Sequence, residues 1–100
     1  MIHYKFIVLP NVRVDVREAK QWYEQKSPSL PKRFDKDLRA TFKQLKLRPL
    51  SHAVRYKNVR IANLKVFPYA VHYIVKENTV LITAVFHSAS NPENWIERTL

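Results

Sequence analysis

Four side chains in this sequence have the chemistry to act on a phosphate: Arg60, His72, His87 and Arg98. Histidine titrates near neutral pH and can serve as general acid or base, while arginine holds an anion without a metal. Together they are the candidate catalytic set, should the protein be an enzyme. The plainer alternative makes each histidine a structural group satisfied by backbone. Arg60 stands in an otherwise apolar strand-like run, where a guanidinium must reach solvent, a partner or a ligand. His3, His52, His72 and His87 share no ligand spacing and cysteine is absent, so no metal site is expected. No serine or threonine sits in a nucleophile motif. Glycine is also absent, which excludes the glycine loops that cradle phosphates, and no cofactor is expected.

The net charge of +10 favours a polyanion or an acidic protein partner. Its distribution is one-sided. No acidic residue occurs between Asp37 and Glu77, an interval holding Arg39, Lys43, Lys46, Arg48, Arg55, Lys57, Arg60, Lys65 and Lys76. A block of one sign implies a surface that meets an anion. The lack of cysteine suits the cytoplasm. The opening residues Met1-Ile2-His3-Tyr4-Lys5 do not read as a signal peptide, and no apolar run is long enough for a membrane helix.

The elements that must position these groups follow from periodicity. Tyr4 to Leu9 reads as a strand stopped by Pro10-Asn11. Asp15 with Glu18 resembles a capping box, which predicts a helix starting there, with Val16, Ala19, Trp22 and Tyr23 recurring at helical spacing and Trp22 toward the exposed edge of that apolar arc. Ser27-Pro28-Ser29-Leu30-Pro31 breaks it. A second helix, about Pro31 to Lys46, sets Phe34, Leu38, Phe42 and Leu45 against a stripe of Lys32, Lys36, Arg39, Lys43 and Lys46. After Pro49 the pattern becomes that of strands: Ala53 to Lys57, Val59 to Phe67, Tyr69 to Val75 and Thr79 to His87. Without glycine, the turns are expected to use Asn58 and Asn78 in the left-handed region. The tyrosine face of the third of these strands (Tyr69, Val71, Tyr73, Val75) is assigned to the helices. His72, Thr83 and His87 are thereby expected on the open face, and Trp95 against a sheet edge. The chain of 100 residues thus reads as a single α+β domain, β-α-α-β-β-β-β, an antiparallel-rich sheet with a helical hairpin packed on one face.

The run from Arg60 to Tyr73, with Leu64 and Phe67-Pro68-Tyr69 inside it, resembles the ParE-like branch of the RelE/ParE toxins. The closing residues Ala84-Val85-Phe86-His87, Asn91-Pro92, Trp95 and Arg98 resemble the same branch, and Ala19, Tyr23, Phe34 and Leu45 to Pro49 fit its hairpin. Asn58-Val59-Arg60 stands where relatives often have glycine before the valine-arginine pair. No tyrosine follows Tyr73, whereas the ribonuclease branch typified by RelE has one near its carboxyl end. The resemblance implies a type II toxin, neutralised by an acidic antitoxin that folds upon it, with DNA gyrase as target. It makes Arg55, Lys57, Arg60 and Arg98 the candidate target contacts, and Trp22, Lys36, Arg39 and Lys43 the candidate antitoxin contacts. The hairpin groove is the expected antitoxin site, with Trp22 as its anchor. The alternatives are a ribosome-dependent mRNA endonuclease or a plain nucleic-acid-binding module.

Overall fold

The computed structural model describes residues 3–98, so Met1 and Ile2, the start of the amino-terminal stretch read above, lie outside the described residues. Strand β1 (Lys5–Val8) leads into helices α1 (Pro10–Glu24) and α2 (Leu30–Leu47). A single 3₁₀ turn at Pro49–Ser51 precedes β2 (Val54–Tyr56), β3 (Val59–Asn63), β4 (Tyr69–Lys76) and β5 (Thr79–His87). A short helix α3 (Pro92–Glu97) follows. The sheet order is β1-β5-β4-β3-β2, with β1 parallel to β5 and the other neighbours antiparallel. The expected α+β order holds, with α3 added at the end.

Helix α1 begins at Pro10, not at Asp15. Proline at the first helical position loses nothing, because its missing N–H would have no partner there and its φ is already helical. Asp15 is therefore inside the helix, where its carboxylate accepts the Val85 N–H at 3.0 Å. Helix α2 starts one residue before Pro31, which serves in its first turn as expected.

The core lies between the hairpin and one sheet face. Val12, Ala19, Tyr23, Phe34, Leu38 and Leu45 from the helices meet Val71, Tyr73, Val80, Ile82 and Val85 from the sheet. One buried carboxylate is set among them. Asp37, on the core side of α2, accepts the backbone N–H groups of Lys65 (3.2 Å), Val66 (2.9 Å) and Phe67 (2.9 Å). It thereby holds the β3–β4 loop and ends β3 at Asn63, short of the expected Phe67. Phe67 and Tyr69 then join Tyr23 and Phe34 in an aromatic cluster with centroids 4.9–6.1 Å apart. The Phe-Pro-Tyr corner is core architecture.

Two hairpins have two-residue loops, and the left-handed residue in each is the one before the asparagine: Lys57 (φ 47) and Glu77 (φ 56). The register puts the lysine and the glutamate, rather than Asn58 and Asn78, where the chain must reverse against the strand twist.

A bulge in β5 has the largest consequence for the functional residues. His72 pairs with Ala84 but Tyr73 pairs with Ile82, so Thr83 is the extra residue. Side-chain alternation resets there. Val80 and Ile82 face the helices before the bulge, and Val85 faces them after it. His87 consequently lies on the helix side beside Tyr69 (ring centroids 5.1 Å), not on the far face with His72 as expected.

Candidate functional site

The far face of the sheet is covered, not open. His72 lies there only 1% exposed, under the rings of Trp95 (5.0 Å), Phe86 (5.2 Å) and Tyr56 (5.8 Å). Trp95 comes from α3 and packs over the sheet rather than at its edge. The Tyr56 hydroxyl is 2.9 Å from His72 Nδ1, and the Thr83 hydroxyl donates to the His72 carbonyl at 3.2 Å. Burial pushes the His72 pKa down from the usual 6.5 to about 4; the Asp15 carboxylate works against this, while Arg55 and Arg98 add to it. At neutral pH the imidazole is uncharged and sealed from water.

What holds α3 in place is a knot around Arg98. Its guanidinium meets both oxygens of Asp15, at 2.8 and 3.0 Å, and donates to the Thr83 carbonyl at 3.2 Å. It also lies 5.0 Å from the centre of the Phe86 ring. Asp15, its side chain 8% exposed, already holds the Val85 N–H, so this one carboxylate ties α1, β5 and the segment after α3 together. The hydrogen bond to Asp15 raises the Arg98 pKa further above its already high value. The guanidinium is a fixed charge with its best hydrogen bonds committed inside the protein.

Two grooves flank α1 on opposite sides. The larger, about 1070 Å³, runs between α1, the end of β5 and α3, and is lined by Asp15, Glu18, Trp22, Tyr69, His87 and Arg98 among others. Trp22 is 53% exposed, stands edge-on to Tyr23 at 5.0 Å and carries the Lys26 ammonium 4.9 Å above its ring. His87 Nδ1 accepts the Ala89 N–H at 3.0 Å, which leaves the proton on Nε2. The smaller groove, about 480 Å³, lies between α1 and α2, with Val8, Val12, Val16 and Phe42 inside and Arg13, Arg17 and Lys20 at its rim.

The four candidate catalytic residues are thus dispersed. Arg98 and His87 share the larger groove, and His72 lies behind the Phe86 ring on the far face. Arg60 is elsewhere. On β3 its guanidinium donates to the His52 carbonyl, beside Tyr73, whose hydroxyl donates to the Pro49 carbonyl at 2.7 Å. Arg60 thereby holds the 3₁₀ segment to the sheet. Of the target candidates, Arg55 and Lys57 are exposed on the β2–β3 hairpin. Of the antitoxin candidates, Trp22 is exposed as expected but lines the α1–β5 groove rather than the hairpin groove, because it projects from the other flank of α1. Lys36, Arg39 and Lys43 are exposed on the solvent side of α2 and line neither groove. Among the described residues no three histidines or carboxylates gather as a metal site.

Asp15 and Asp37 were missed as organising groups, although a signal existed. Asp15 is three residues after Val12 and four before Ala19; Asp37 is three after Phe34 and four before Thr41. All four neighbours are buried, so each carboxylate falls on the inward side of its helix.

The chain is similar to known proteins in sequence and in fold. Residues 6–92 match the model of the family described as ParE toxin of type II toxin–antitoxin system, parDE. Among solved structures, the chain is similar to one titled "Chromosomal ParDE TA system from P. aeruginosa". The TM-score is 0.74 at 17% sequence identity, covering 85% of this chain and 96% of the other. At that identity the likeness concerns the fold. No curated protein matches the chain.

Proposed function

Because the chain belongs to the ParE toxin family of type II toxin–antitoxin systems, we propose that it is a growth-inhibiting toxin that acts by binding DNA gyrase and is held inactive by an acidic cognate antitoxin. The observation that carries the choice of binding over RNA cleavage is the state of His72. A metal-free ribonuclease needs a base, an acid and a cation around one phosphate, within hydrogen-bond reach. His72 is buried under Trp95 and uncharged, its pKa is near 4, and it is separated from His87 by the sheet. The Tyr56–His72 pair has acid–base character, and α3 lies over it.

Neutralisation follows from the larger groove. Trp22 and Arg98 line the same cleft. An antitoxin segment anchored on the exposed indole would therefore cover the surroundings of Arg98, one of the four candidate target contacts. Aromatic anchors in such positions dominate binding energy. Trp22→Ala should weaken antitoxin binding by more than ~1 kcal/mol, or over fivefold, with the melting temperature nearly unchanged. Unaltered affinity would move the antitoxin to another surface. The function itself is tested by induction in a bacterium: growth should slow, and co-expression of the neighbouring reading frame should restore it. Normal growth despite abundant folded protein would refute the toxin reading.

A further inference from the structure

The solvent face of α2, which holds the antitoxin candidates Lys36, Arg39 and Lys43, lies outside both grooves. Lys32, Lys36, Arg39 and Lys43 alternate four and three residues apart, which stacks them in one straight stripe about 17 Å long. The opposite side of the helix is fixed in the core by Phe34, Leu38 and Leu45, so the stripe stands on a rigid support. All four side chains are exposed. The ion pairs among the described residues, Lys20 with Asp35 and Arg98 with Asp15, involve none of them. Asp35 and Asp37, the acidic residues of α2, are thus engaged elsewhere, by Lys20 and by the β3–β4 loop. The charge of the stripe is uncompensated.

We propose that this face of α2 binds the phosphate backbone of duplex DNA, independently of the gyrase reading. Two features select that partner. Between Lys32 and Lys43 the stripe carries no large apolar side chain, the exposed Leu47 coming only at the last residue of α2; the groove beside α1 offers the exposed indole of Trp22, the kind of anchor a folding acidic peptide needs. Nor does the stripe carry an aromatic. Phe34 is buried and Phe42 packs edge-on to Phe6 at 5.2 Å. Single strands are held by stacking bases on exposed rings, which this face lacks, whereas a duplex offers a regular phosphate array that needs only cations. Binding by such contacts does not read sequence.

The test uses the whole chain and a fluorescently labelled 20-base-pair duplex of arbitrary sequence, followed by anisotropy. Four phosphate contacts predict a slope of log K against log salt of about −3.6, which is roughly a 150-fold loss between 50 and 200 mM salt. The triple variant K36E/R39E/K43E should lose at least tenfold in affinity and most of that slope. The neutral triple K36Q/R39Q/K43Q should do so less severely. Reversing Lys5, Lys65 and Lys76 instead, which are exposed and off the stripe, should cost less than threefold. Equal losses in both charge-reversal variants would make binding a matter of net charge alone and overturn the proposal. Tighter binding of a single strand of equal length, or no duplex binding by the parent protein at 50 mM salt, would overturn it too.

Discussion

Replacing Asp37 by alanine should be among the most damaging single changes to this fold. The carboxylate is 7% exposed and accepts three backbone N–H groups of the loop that leads into the aromatic cluster. A hydrogen bond to a charged group contributes roughly 1.5–3 kcal/mol, and a buried donor left without a partner costs about 1–3 kcal/mol. The three donors differ in what they lose. Lys65 and Val66 are exposed, so their N–H groups can recover water; Phe67 is buried and its N–H cannot. That places the cost near ~3 kcal/mol rather than at the sum of three full bonds. For a chain of this size the melting temperature should drop by roughly 12–20 °C. Asp37→Asn keeps one acceptor oxygen and should lose only about a third as much. Urea unfolding of the three proteins, read by tyrosine and tryptophan fluorescence, measures both differences. If Asp37→Ala falls within ~0.5 kcal/mol of the parent, or Asn is as harmful as Ala, the loop is not held by this carboxylate.

Two further outcomes follow. His72 has a folded pKa near 4 against the usual 6.5, so below pH 6.5 the unfolded chain takes up a proton that the folded one refuses. Stability is then unaffected by this group above pH 6.5 and should fall by about 3 kcal/mol as pH drops to 4. His72→Phe should remove that part of the slope in pH-dependent urea unfolding, and an unchanged slope would show the imidazole to be solvated. Glu77→Gly relieves a left-handed φ at a residue with a Cβ, so it should stabilise the protein by ~0.5 kcal/mol after glycine's own entropy cost. A lower melting temperature for this variant would show that Glu77 contributes more than turn geometry.

Long-period patterns were legible in the sequence and short-range exceptions were not. The inward residues of α2 and the apolar runs of β4 and β5 repeat over enough turns or pleats to declare their type, and their apolar faces identified them as central strands. The bulge at Thr83 leaves no such trace. One unpaired residue reverses the faces beyond it, which separated His87 from His72 and broke up a set that strict alternation had assembled. Asp15 and Glu18 imitate a cap and so point to too late a start for α1, while Pro10, which reads as a strand terminator, serves in the first turn of the helix. Trp22 was legible as exposed, since it lies at the margin of the apolar arc. Which flank of α1 it occupies depends on how the helix is rotated over the sheet, and no local pattern encodes that.

The central claim, a toxin that binds gyrase instead of cutting RNA, is tested most directly with purified components. Gyrase supercoiling of a relaxed plasmid should be measured with increasing amounts of this protein, alongside a ribosome-programmed translation reaction from which mRNA is recovered. Supercoiling should fall in proportion to added protein and recover when an equimolar antitoxin is present, while the mRNA stays intact. Undiminished supercoiling together with specific cuts in ribosome-bound mRNA would contradict the account, and would require α3 to move off His72 and Tyr56.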